Sequence, residues 1–384
     1  MSKRFGTFLT AAVCVFALAA CEGPTGPAGP AGAAGSPGSA GPAGPAGPAG
    51  PAGPAGPAGQ DANENCTQCH TGDVSLFAKQ VQYAQSTHRL GGNFERSTGS
   101  CAVCHTHQGF LERMETGAWS TAETVMDPAP INCRTCHQIH STYTAADYAL
   151  TATEPVDLNY TSTTFDFGEA AGNLCAQCHQ ARTFSPVPVI GGANVTITSS
   201  RYGTHHGPQG TVMAGVGAFE FSGPVSIVDG EHAHGLLTAN EKMCATCHMG
   251  AAFGEQSGGH TWKMSYDYHG ASVDNVAGCQ TCHPDADDFS YFGDLQGNVE
   301  ALLVELEQQL VDFGIKREMS ADYTIHGLNV YAFAGTYPAT AAAAFVNWQM
   351  FAEDRSLGLH NPTYVRSVLI NSIAAMDALL NPPA

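Results

Sequence analysis

The sequence predicts a mostly irregular and α-helical body with few short strands, followed by a C-terminal helical segment. Three observations predict this class. The pentapeptide C-x-x-C-H occurs six times between residues 66 and 283. The segments between its copies are short and broken by glycine, threonine and polar runs, so helical periodicity is scarce. From 294 to 384 cysteine disappears, and apolar residues recur at the spacing of a helix.

The six copies read CTQCH (66–70), CAVCH (101–105), CRTCH (133–137), CAQCH (175–179), CATCH (244–248) and CQTCH (279–283). This spacing is the c-type haem attachment signature. Two thiols add to the two vinyl groups of one haem, and the next histidine ligates the iron through an imidazole nitrogen. The covalent attachments are therefore Cys66, Cys69, Cys101, Cys104, Cys133, Cys136, Cys175, Cys178, Cys244, Cys247, Cys279 and Cys282. The proximal iron ligands are His70, His105, His137, His179, His248 and His283. Zinc sites are the competing reading of paired cysteines. A zinc ribbon does not need a histidine after every second cysteine, yet all six pairs have one. No cysteine beyond residue 59 lies outside a motif. Six covalently bound c-type haems follow, and no cysteine remains for a disulfide framework.

The first cysteines are 35, 32, 42, 69 and 35 residues apart. Segments this short bury little side chain on their own, so the haems are expected to form the core of residues 60–293. In the longest gap, 187–198 and 212–228 carry β-branched residues and glycines, which fits short strands or ordered loops. Within 294–384, Val299, Leu302, Leu303, Leu306, Leu310 and Phe313 outline a first helix that Gly314 can stop. A second helix is expected over about 338–352. A third starts with Asn361 as N-cap and Pro362 at the first helical position, turning Val365, Val368, Leu369, Ile373, Met376 and Leu380 inward. This segment is expected to pack on the haem body and not to form a domain of its own.

The N-terminus carries a different message. Residues 1–20 read as a signal peptide, with Lys3 and Arg4 before a short apolar run. Leu18, Ala19, Ala20 and Cys21 resemble the lipobox of bacterial lipoproteins, in which the cysteine is acylated. Ordinary cleavage after Ala20 is the alternative. Glu22 is not the aspartate that retains such lipoproteins in the inner membrane, and the resemblance therefore implies the outer membrane. From 23 to 59 every third residue is glycine, in mostly G-P-A triplets. The tract resembles collagen, where only glycine fits the crowded axis. As a single polyproline II stalk it would reach on the order of 110 Å. A homotrimer zipped by the tract is the alternative. The chain thus divides into signal peptide (1–20), lipidated Cys21 plus collagen-like stalk (21–59), haem body (60–293) and helical segment (294–384).

Charge excludes some partners. Acids outnumber bases 34 to 15 and the formal net charge is −19. Such a surface repels nucleic acid and anionic headgroups, which leaves a lipid anchor as the only membrane contact.

The chain holds 17 histidines, of which six belong to the motifs, so eleven remain for the second axial positions. Several sit in segments that resemble the multihaem c-type cytochromes of bacterial respiration, distantly including ammonia-forming nitrite reductases and hydroxylamine oxidoreductases. The resemblance runs from about residue 64 to the end. It is carried by RYGTHHGPQG (201–210), CATCHMG (244–250) with GGHTW (258–262), and EDRSLGLHNPTYVRSVL (353–369). By that resemblance His360 is the best distal ligand and His260 the next. His88, in QSTHRLGG, resembles the S-x-H distal ligands of such proteins. His140 follows His137 too closely to reach the same iron and would serve a neighbouring haem. One of the adjacent His205 and His206 is a candidate, as is one of His232 and His234, with His232 preferred. His107, His269 and His326 are surplus.

Histidine is abundant, so the expectation is six bis-histidine irons with no open position. Electron transfer follows as the function, at the outer membrane or cell surface. The partners would be other multihaem cytochromes or a porin–cytochrome conduit on one side. On the other would be an extracellular acceptor such as metal oxide or mediator. A reductase of nitrogen or sulfur oxyanions with one open haem is the alternative, and a cytochrome filament subunit is a third reading.

Overall fold

In the computed structural model, residues 74–90, 94–168, 171–227, 234, 243–320 and 331–382 are described. The chain divides into two compact units, Met1–Ala58 and Gly59–Ala384. All described residues belong to the second. The first attachment motif, with Cys66, Cys69 and His70, lies outside them, as do Cys21, the collagen-like tract, His232 and His326.

The attachment motif favours one helical turn, because positions i, i+3 and i+4 share a helix face. Helices α1 (Val74–Ala84) and α2 (Thr87–Leu90) lead to α3 (Gly99–His105), which ends in CAVCH. A single residue, Thr106, separates α3 from α4 (His107–Thr116). Its hydroxyl accepts from the Gly109 amide at 2.9 Å and caps α4. Helix α5 (Cys133–Cys136) is little more than the motif itself, closed by a capping box between Asn132 and Thr135. Helix α6 (Ala171–Ala176) runs into CAQCH, α7 (Gln209–Met213) lies within the longest gap, and α8 (Met243–His248) contains CATCH whole. The last motif opens in a 3-10 turn, Cys279–Thr281.

Three two-stranded antiparallel sheets complete the described body. Strand β1 (Val156–Leu158) pairs with β2 (Thr163–Phe165). Strand β3 (Val195–Ile197) pairs with β6 (Gly335–Tyr337), placing Val195 opposite Tyr337. Strand β4 (Ser265–Tyr268) pairs with β5 (Ala271–Asp274). The β3–β6 pair joins the motif-bearing part to the C-terminal part. The 212–228 stretch forms the end of α7 and irregular chain, with no strand among its described residues.

The C-terminal part holds α9 (Leu295–Asp312), α10 (Ala339–Asp354) and α11 (Pro362–Leu380). Gly314 ends α9 at φ +83°, a conformation glycine adopts without a Cβ clash. Asn361 caps α11, its Oδ1 accepting from the Tyr364 amide at 3.2 Å. Val365, Val368, Leu369, Ile373 and Met376 are buried, whereas Leu380 is half-buried. Every residue of α10 except Thr340 is buried. Its run of alanines offers a narrow surface that lets α9 and α11 pack closely, and Phe345, Trp348 and Met350 fill the space beyond.

The largest apolar cluster of the described residues is made by side chains: α9, α10 and α11 together with Ile197, Tyr202, Val212 and Phe221. A smaller cluster of Val156, Leu158, Phe167, Ala176, Met213, Ala214 and Met243 ties β1 to α6, α7 and α8. Around the motifs themselves few large apolar side chains are buried. Among the described residues no helix is long and apolar enough to cross a membrane.

Candidate haem sites

Four motif histidines face a histidine from a distant part of the chain. The ring centres of His179 and His88 are 6.0 Å apart, and those of His105 and His205 are 6.5 Å apart. His137 and His260 stand at 6.3 Å, and His248 and His360 at 6.2 Å. Two imidazoles bound to one metal from opposite sides have centres roughly 6 Å apart, given metal–nitrogen bonds of about 2 Å. Near the fifth described motif histidine, His283, stands His234, which burial lowers and which the charges of both His283 and His360 lower further.

Their protonation suits ligation as well. An axial imidazole must be neutral, with one nitrogen bare and the other N–H held. Burial lowers His88 to about 4, with His179 adding to the effect. Burial likewise lowers His105, His248 and His260 to about 4, and His205 to about 3. Five histidines hold Nδ1 against an acceptor, leaving Nε2 as the bare nitrogen. His137 Nδ1 donates to the Tyr148 carbonyl at 2.7 Å, and His248 Nδ1 to the Trp262 carbonyl at 3.1 Å. His179 Nδ1 donates to Gln209 Oε1 at 3.2 Å, and His234 Nδ1 to the Leu359 carbonyl at 2.8 Å. His360 is paired with a carboxylate, Asp354 Oδ1, at 2.6 Å. Burial alone would lower His360, but the charge and hydrogen bond of Asp354 outweigh it and raise the imidazole.

The motifs also touch one another. Cys104 is within hydrogen-bonding reach of Cys178, Cys175 of Cys244, and Cys247 of Cys279. Cys136 is close enough to Cys175 to feel its charge. The motif at 175–179 therefore borders those at 101–105, 133–137 and 244–248, and the last of these borders 279–283. Arg113 secures one junction. It is buried, lies 3.5 Å from the centre of the Trp119 ring, and donates to Gln177 Oε1 at 2.8 Å and to the Gln177 carbonyl. None of the ten described cysteines is joined to another in a disulfide. Among the described residues no three His, Cys, Asp or Glu side chains converge, as a metal held by protein alone would require. A haem iron takes only two ligands from the protein. The paired histidines fit that demand, and the two thiols within each motif would take the two vinyl groups of one haem.

The candidates divide accordingly. His88, His205, His260 and His360 each face a motif histidine. His206 is exposed, with Nδ1 3.8 Å from Glu353 Oε1, and its ring centre is 3.9 Å from that of His205. The two rings are tilted by 47° and His205 sits at φ +68°. His140 is exposed and stacks on Tyr143 at 5.5 Å, its amide held by Asp147. Of the surplus histidines, His107 bonds Thr135 Oγ1 through Nδ1 at 2.9 Å, and His269 is exposed against Tyr268. His234 is half-buried with Nδ1 on the Leu359 carbonyl, between the charges of His283 and His360, whereas the preferred His232 lies outside the described residues. The sequence reading did not find Asp354, Gln209, Arg113 or Trp262. Asp354, Gln209 and Trp262 lie within the quoted segments 353–369, 201–210 and 258–262, whereas Arg113 lies in none of them.

Comparison with known proteins adds the following. Residues 19–66 match the collagen triple helix repeat family. No curated protein matches the chain at a significant level. Among solved structures, the outer cell wall cytochrome OcwA is similar at a TM-score of 0.45 and 17% identity, over 77% of this chain and 49% of that one. The chain spans about half the length of that cytochrome.

Proposed function

We propose that the protein is an electron-transfer cytochrome carrying six c-type haems, each held by two histidines. The carrying observation is the set of four histidine pairs at 6.0–6.5 Å, each joining a motif histidine to one far away in sequence. The pairs are His105 with His205, His137 with His260, His179 with His88, and His248 with His360. For His283 the candidates are His232, which lies outside the described residues, and His234, and His70 would hold the sixth iron. Bound c-type haem supplies one-electron iron chemistry, and two imidazoles leave its iron no open position.

The chain's own residues do three things. The motif cysteines fix attachment, and their contacts across motifs bring successive attachment points together. Backbone carbonyls, Gln209 and Asp354 hold Nδ1 and so aim Nε2. Burial favours the neutral imidazole at His88, His105, His205, His248 and His260. A reductase needs a motif histidine without an opposing ligand, and four of the five described motif histidines face a second histidine. This favours transfer over catalysis.

The signal peptide, Cys21 and the tract from 23 to 59 extend the reading to an exported lipoprotein. It would stand off the outer membrane and serve partner cytochromes or an extracellular acceptor. The test is the mature chain expressed in a host that attaches c-type haem. Six haems per chain, all low-spin by EPR and unchanged by cyanide or nitrite, are expected. A high-spin iron that shifts on adding either ligand would overturn bis-histidine ligation throughout.

A further inference from the structure

We propose that Trp262 is a positioning residue for three iron ligands at once. The indole lies between two candidate ligands that belong to different sites. Its ring centre is 4.7 Å from that of His88 at an interplanar angle of 83°, and 5.5 Å from that of His260 at 64°. Both contacts are edge-to-face, the arrangement the aromatic quadrupole favours. His88 faces His179 and His260 faces His137, so one side chain borders the sites of the 133–137 and 175–179 motifs. The backbone of the same residue serves a third site, since its carbonyl accepts from His248 Nδ1 at 3.1 Å.

Two features separate this role from ordinary packing. Trp262 belongs to neither apolar cluster, and its ring contacts are with two histidine rings. It also sits at φ +55°, a region that non-glycine residues occupy at a cost. That conformation ends the 3-10 turn Gly259–Thr261, where the Trp262 amide donates to the Gly259 carbonyl at 3.3 Å. It lets the carbonyl face His248 while the ring faces the other two histidines. A glycine would suit the backbone better, so the indole is held there against local preference. The turn is anchored in its own right, because Gln82 Oε1 on α1 accepts from the His260 amide at 3.0 Å.

The chemistry that follows concerns orientation. An edge-to-face neighbour restricts rotation of an imidazole about its metal–nitrogen axis. The angle between the two ligand planes sets the g-values of a low-spin iron. Trp262 is thereby assigned the plane angles of His88 and His260 through its ring, and the tautomer of His248 through its carbonyl.

This assignment rests on the haem reading above, and the test keeps the two apart. Haem content and low-temperature EPR are recorded on the mature holoprotein as wild type, W262G and W262F. W262G retains the carbonyl and relieves the backbone while removing the ring. The expected result is an unchanged haem-to-protein ratio, shifted g-values for two of the low-spin signals, and the others unmoved. W262F, which keeps a ring, should restore the two signals towards wild type. A W262G spectrum superimposable on wild type overturns the assignment. If W262G does not accumulate as holoprotein, W262L gives the same comparison, with a shift supporting and superposition overturning. Wild-type protein without low-spin haem signals overturns the reading of function and this assignment together. Wild type with such signals beside an unchanged W262G overturns this assignment alone.

Discussion

At the scale of single residues, the histidine sites depend on neighbours that no motif announces. Gly203 is one. It sits at φ +116°, and a Cβ there would overlap Gln349 Oε1, the atom that accepts from the Thr204 amide at 2.9 Å. Gln349 Nε2 in turn donates to the Tyr202 carbonyl at 3.0 Å. This clamp sets the turn that places His205 opposite His105 and leaves His206 outside. Gly203→Ala is therefore expected to displace His205 and to convert one low-spin signal to high-spin, as His205→Ala should. His206→Ala should leave the spectrum unchanged, and a high-spin signal in that variant would reverse the choice between the two neighbours. Asp354 is the second case. Its carboxylate makes His360 a more basic donor, which favours the oxidised iron. Asp354→Asn is expected to raise one midpoint potential by roughly 50 mV, close to a tenfold change for a one-electron couple. Potentiometric titration of the holoprotein checks this, and an unmoved set of potentials would remove Asp354 from the account.

Among elements, α10 decides most. Nearly all of it is buried, so it has no polar stripe to orient it, and its polar side chains act inward as clamps on the 202–221 segment. Asn347 exchanges two hydrogen bonds with the backbone of Phe219, at 2.7 and 2.8 Å. Gln349 holds the turn at Gly203, and the end of the helix supplies Asp354. Beside α10 lies an ion pair without solvent contact, between Lys316 Nζ and Glu307 Oε1 of α9 at 2.9 Å. Lys316 Nζ also sits 4.9 Å from the centre of the Trp348 ring. Removing one partner leaves the other buried and poorly compensated. Lys316→Met should cost about 3–5 kcal/mol, whereas the double variant E307L/K316M should be nearly neutral. Urea unfolding across the double-mutant cycle measures both. Equal losses in the single and double variants would mean the pair contributes only packing.

For the whole molecule, the contacts between motifs matter more than any one site. The thiol contacts and the Arg113 clamp gather five attachment points in a described body whose apolar core lies mostly elsewhere, around α9, α10 and α11. The tract at 23–59 is a separate question of assembly. Its triplets lack charged pairs, so a single extended chain is the expected state. Residues 21–384 should then sediment with the mass of one chain but with a clearly larger hydrodynamic radius than residues 60–384. A threefold mass for the longer form alone would establish the triple helix.

Legibility followed the range of the interactions. Attachment is local: two thiols and an imidazole at i, i+3 and i+4 meet on one helical turn whatever the rest of the chain does. The C-terminal helices were legible for the same reason, since capping by Asn361 and the stop at Gly314 act within a few residues. Charge and the glycine period of the collagen-like tract are likewise written in composition. By contrast, which distant histidine faces which motif depends on packing between segments about 90 to 125 residues apart. His137 meets His260, and His248 meets His360, only once the chain has folded. That His205 faces His105 depends on the turn at Gly203, which Gln349 of α10 holds. The sequence by itself determined the six motifs and their places along its length. Only the tertiary structure decided which distant histidine four of those motifs face, because side chains that meet across a fold need not be neighbours in the chain.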